Sequence, residues 1–89
     1  MIINSKKYLN YKLINRERTF AYDKVFKVDT EEDREEFYGV IDACNETMNL
    51  IEQGHSIKEV IKISKEKKSK LDNDHYLKGV NLVLKILEE

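Results

Sequence analysis

Proline is absent from the 89 residues, and glycine occurs only at positions 39, 54 and 79. Few features constrain a fold more. Without residues that lock or free the backbone, a helix once begun meets little to end it, and long helices are expected wherever the apolar spacing supports them.

That spacing is clearest from Thr30 onward. Thr30 is a good N-cap, and Asp33 stands at the capping-box position three residues later. Phe37, Val40, Ile41, Cys44, Met48 and Ile51 then fall within an arc of about 100°, the stripe of a helix with one face on a core. Gly54 ends it, because glycine enters the left-handed conformation of a helix C-terminus cheaply. Ser56 and Glu59 form a second capping box, opening a helix whose apolar side is Ile57, Val60, Ile61 and Ile63. Beyond Ser64 that side runs out, so the helix either frays or projects past the core. Asp72 or Asn73 can cap a third helix from about His75 to Glu88.

The first 29 residues read differently. Leu9, Tyr11 and Leu13 alternate, as do Phe20, Tyr22, Phe26 and Val28, and aromatic or β-branched residues at period two predict strands. The intervening Asn15-Arg16-Glu17-Arg18 could turn a hairpin, although it lacks an Asn-Gly or Asp-Gly signal. A helix beginning at Ser5 competes for the first strand. The expected architecture is therefore a mainly α single domain over 1–89. Residues 30–89 supply three helices and residues 1–29 a β-hairpin or extended arm, with an all-α four-helix fold as the alternative.

Charge is sorted along the chain although the total is only −1. Residues 1–29 carry net +4, 30–54 net −7, 55–70 net +4 and 71–89 net −2. Within the acidic block, Glu31, Glu35, Asp42 and Glu46 share an arc of about 60° opposite the apolar stripe, with Tyr38 beside them. Carboxylates in the first turn complement the helix dipole, but the dipole does not account for a row running about 22 Å. Such a row is either a solvated face or a strip that docks on the basic groove of a protein partner. Lys58, Lys62, Lys65 and Lys68 form a basic stripe on the next helix. It has no interleaved arginine or aromatic to read or stack bases, and lysines near a helix C-terminus are favoured by the dipole alone.

The Leu50–Val60 stretch resembles the helix, turn and second-helix start of small DNA-binding families. A recognition helix would then follow. The helix available, residues 75–88, is apolar apart from Lys78, Asn81, Lys85 and its acidic end, so it is built to be buried. Its apolar residues span about 220°, more than one core surface covers. Either the aromatic residues of 20–28 lie over it, or Gly79, Leu82 and Ile86 meet a second copy across a two-fold axis.

The chemistry of a catalyst is missing. Cys44 lies mid-stripe as a buried thiol, and it is the sole cysteine, so no disulfide or cysteine zinc cage is expected. His55 and His75 sit near helix starts without metal-ligand spacing. Asp72-Asn73-Asp74 begins like a calcium loop, but Leu77 replaces the required glycine and Val83 the closing glutamate. Neither an apolar secretion signal nor a membrane-length apolar run is visible. The resulting expectation is a cytoplasmic, non-catalytic module that regulates or inhibits a protein partner, without cofactor or metal. Homodimerisation is the further expectation, and the composition suits a small bacterial or phage accessory protein. A small nucleic-acid-binding regulator using the lysine stripe is the alternative.

Overall fold

The computed structural model describes the backbone of residues 5–89 and their side chains other than those of Ser5 and His75. These residues form four helices and no strand: α1 Ser5–Val25, α2 Glu31–Glu52, α3 Ile57–Lys68 and α4 Asp74–Glu88. The all-α alternative is the one that fits, and the hairpin expected in residues 1–29 is corrected to a helix.

The reason lies in which residues of α1 are buried. Asn10, Ile14, Ala21 and Val25 turn inward, at spacings of four, seven and four that make one helical face. The larger apolar residues, whose alternation mimicked strands, are scattered around the rest of the helix. Asn15-Arg16-Glu17-Arg18 is no turn but an anchor. Arg18 donates to Asn15 Oδ1 on its own helix and to Asn45 Oδ1 on α2, both at 2.8 Å. Tyr11 donates to Glu52 at the far end of α2, which raises its own pKa because the bond needs the phenol proton.

α2 is the central element, packed against α1 on one side and α4 on the other, while α3 braces α4 and the C-terminal half of α2. Thr30 caps it by accepting the Asp33 N–H at 3.2 Å. Gly54 ends it with φ 97°. The Gly54 N–H reaches the Ile51 carbonyl and the His55 N–H the Leu50 carbonyl, both at 3.1 Å. This crossed pair satisfies two carbonyls the helix end would otherwise strand. The Ser56–Glu59 capping box forms in both directions. Asn73 caps α4, its side chain accepting the Tyr76 N–H at 3.2 Å.

The inward face of α2 is about twice as wide as its apolar stripe. Beside Ile41, Cys44, Met48 and Ile51 it also buries Gly39, Ala43 and Thr47. These three small residues, four apart, form a shallow seam, and α4 lies in it. A Cβ added to Gly79 would come within 2.4 Å of the Gly39 carbonyl carbon and 2.5 Å of the Val40 nitrogen. The two backbones are therefore in direct contact. Val80, Val83, Leu84 and Leu87 complete the main core with Ile14, Cys44, Met48, Ile51 and Val60. Ala21, Val25 and Ile41 make a second cluster between α1 and α2.

Candidate functional site

The acidic row does not stand apart on the outer face of α2. Its carboxylates border the seam that holds α4, and three of them are met from within the chain. Glu35 accepts from Asn73 Nδ2 at 3.4 Å and Asp42 from the Tyr76 hydroxyl at 2.5 Å, and Glu46 pairs with Lys67 of α3. Glu36, next to the row, pairs with Lys78 at 2.5 Å, which raises the lysine pKa. The Asp42 bond, aided by partial burial, pushes the Tyr76 pKa up to about 12. Glu31 and Tyr38 remain exposed. The row thus latches α3 and α4 onto α2 within the chain.

Gly79 is likewise occupied within the chain, since the close approach expected across a two-fold axis is made to Gly39. Leu82 and Ile86 are half-buried, and Ile86 packs on the main core. The aromatics that were to cover α4 point elsewhere: Phe20, Tyr22 and Phe26 are exposed on and just beyond α1.

Lys58, Lys62, Lys65 and Lys68 do share an exposed face of α3. Lys65 reaches Glu88 of α4 at 3.2 Å. Between the two helices runs an open groove of about 440 Å³ lined by Lys65, Lys68, Asn81, Leu84, Lys85 and Glu88.

Cys44 is fully buried, and desolvation pushes its thiol up to about 12, so the thiolate that reacts is suppressed. His55 contacts Glu59 at 3.2 Å, a contact that lowers the glutamate pKa and belongs to the α3 cap. No group of three or more metal-ligating side chains assembles among the described residues, and the His75 side chain lies outside them. The cavity between α2, α3 and α4, bordered by Asp42, Thr47, Lys67 and Tyr76, measures about 20 Å³. That is room for roughly one water, not for a substrate. No described helix is long and apolar enough to cross a membrane.

What sequence reasoning missed is the outer face of α1. Leu9 is 55% exposed and Phe20 54%, with Leu13 half-buried between them. Positions 9, 13, 16 and 20 follow the spacing of a helix–helix seam, and Arg16 occupies the third. Lys6 and Lys24 flank this seam, and the Lys24 ammonium sits 5.4 Å from the Phe20 ring centroid. On the opposite flank Tyr8 is stacked under Lys12 at 5.5 Å. The signal was hidden because Leu9, Leu13 and Phe20 of this face alternate with Tyr11 and Tyr22, which lie on other faces of the helix. No protein-family model, curated protein or solved structure matches this chain.

Proposed function

We propose that the protein is a non-catalytic interaction module that regulates a protein partner, docking through the outer face of α1. The supporting observation is the concentration of exposed large apolar side chains. Tyr8, Leu9, Phe20, Tyr22 and Phe26 lie on or beside α1, and Tyr38 lies on the neighbouring α2. Single exposed apolar residues are ordinary, but Leu9, Leu13 and Phe20 share one face of α1, and an apolar row on one face marks an interaction surface. Aromatic residues and arginine are the types enriched at protein interfaces.

The charge around the seam selects the occupant. Lys6, Lys12, Arg16 and Lys24 surround Leu9, Leu13 and Phe20, with Glu17 at the inner edge. A partner helix with an apolar stripe flanked by carboxylates would bury its stripe on the leucines and pair its acids with this rim. Burial supplies affinity in such a contact, and the complementary rims fix register and speed encounter.

A photo-crosslinkable residue replacing Phe20 tests this in the native host, with the same residue at Lys58 as control. The expected result is a partner captured at position 20 alone through an acidic helical peptide. Leu9→Asp with Phe20→Asp should abolish the capture, while stability moves by only about 0.5 kcal/mol per exposed site. Equal capture by the folded double variant would refute the reading.

A further inference from the structure

The α3–α4 groove lies apart from the proposed α1 docking face and has a different chemistry. α2 carries the chain's main concentration of carboxylates, and it draws on Lys67 and Lys78 to neutralise Glu46 and Glu36. The remaining lysines of this region are left outward. Among the described residues no carboxylate lies within ion-pair reach of Lys58, Lys62, Lys68 or Lys85. Lys58, Lys62 and Lys68 stand on one face of α3 over about 15 Å, with rises of roughly 6 and 9 Å between them. Lys85 faces Lys65 and Lys68 across the groove, with Asn81 beside it, and Lys62 and Lys58 continue the row beyond the groove lining. Glu88 is the acidic group in the groove, and Lys65 already neutralises it at 3.2 Å.

From this we infer a second binding surface: the Lys58–Lys62–Lys68 row and Lys85 hold the phosphate backbone of duplex nucleic acid, without reading its sequence.

The choice of ligand follows from what accompanies the lysines. An acidic protein would need an apolar centre to bury, and an anionic membrane would need side chains that insert beside the charges. Among the described residues, the exposed large apolar ones belong to α1, its C-terminal turn and α2, and none to α3 or α4. Single-stranded nucleic acid is held by aromatic platforms on which bases stack, and none borders this groove. A duplex backbone is the polyanion that lysines hold by charge alone, through release of its condensed counterions. The absence of arginine from the lining removes the bidentate contacts that read guanine. Binding is therefore indifferent to sequence.

Fluorescence anisotropy with two 20-base-pair duplexes of unrelated sequence tests the inference. Both duplexes should bind the full-length protein equally, with Kd on the order of 10⁻⁶ to 10⁻⁴ M near physiological salt. Four neutralised phosphates give a slope of log K against log salt of about −3.6. Lys58→Gln, Lys62→Gln and Lys68→Gln together should bring that slope to about −0.9, and Lys85→Gln alone to about −2.7. All four residues are exposed, so the variants keep the parent's circular dichroism. Lys27→Gln, just beyond the end of α1, should leave the slope unchanged. Three results would overturn the inference: no retention of duplex at ~20 mM salt, a slope unaltered by the triple variant, or equal affinity for the single strand. Vesicles containing phosphatidylserine provide the last arm, and binding to them in preference to duplex would assign the lysines to a membrane surface instead.

Discussion

Replacing Gly79 by alanine sets two effects of known sign against each other. Alanine is the better helix former by about 1 kcal/mol in a helix interior, so an isolated α4 would gain from the change. In the folded chain the new methyl would meet backbone, not a yielding side chain, with the Gly39 carbonyl carbon at 2.4 Å and its oxygen at 2.6 Å. Ordinary contact requires the two helices to part by about 1 Å, a gap that forfeits a quarter to a half of the dispersion well between facing atoms. The loss falls on the main core, where Val80, Val83, Leu84 and Leu87 of α4 meet Cys44, Met48 and Ile51 of α2. Overpacking usually costs 1–3 kcal/mol where side chains can adjust, and a backbone contact places this site at or above the upper end, about 3–4 kcal/mol. After the propensity gain, a net destabilisation of about 2–3 kcal/mol is expected, or roughly 10–20 °C in Tm for a domain of this size. Urea denaturation followed by circular dichroism at 222 nm measures it. An alanine variant as stable as the parent would refute the direct backbone contact between α2 and α4.

Two further changes probe the latches and the core. Tyr76→Phe should lose about 0.5–1 kcal/mol at pH 8, the lower end for one hydrogen bond at a partly exposed site. It should also remove a phenol that ionises near pH 12 in a spectrophotometric titration. Because the folded value lies above the ordinary tyrosine value of about 10, the contribution is complete below about pH 10. It is lost as pH rises through about 12, so parent and variant should converge there. Asn10 is 4% exposed, and its side-chain nitrogen finds no partner among the described residues. Asn10→Leu should therefore stabilise the chain by about 1 kcal/mol, since a buried donor without a bond carries its full desolvation cost. Equal or lower stability in thermal unfolding would mean that the amide is satisfied in solution.

The parts of the fold legible in the sequence were those written in local chemistry. Thr30, Gly54, Ser56 and Asn73 act through backbone groups within a few residues, so their caps need no tertiary information. The Cys44 stripe was legible because large apolar residues recur at one spacing. The seam of Gly39, Ala43 and Thr47 was not, since small side chains carry little hydrophobic signal and matter only when another backbone lies against them. That omission also misplaced the acidic row, because Asp42 and Glu46 adjoin the seam and become neighbours of Tyr76 and Lys67 once α4 is docked. In α1 the difficulty was opposite in kind. The inward face is interrupted by Asn10 and Ala21, while Leu9, Leu13 and Phe20 of the outward face alternate with Tyr11, Tyr22 and Phe26 around and just beyond the helix, which looks like the period of a strand. That alternation hid the candidate docking face.

The central claim is that α1 is a helix with one face packed on α2 and a separate, basic-rimmed apolar seam open to a partner. Solvent paramagnetic relaxation enhancement of assigned side-chain NMR signals tests it directly, because a soluble paramagnetic chelate broadens only the groups it can approach. Strong broadening of Leu9 and Phe20 is expected, with Ile14, Ala21 and Val25 protected. Protection of Phe20 and Tyr22 together with exposure of Ile14 would contradict it, placing the aromatics in the core and removing the face on which the proposed function rests.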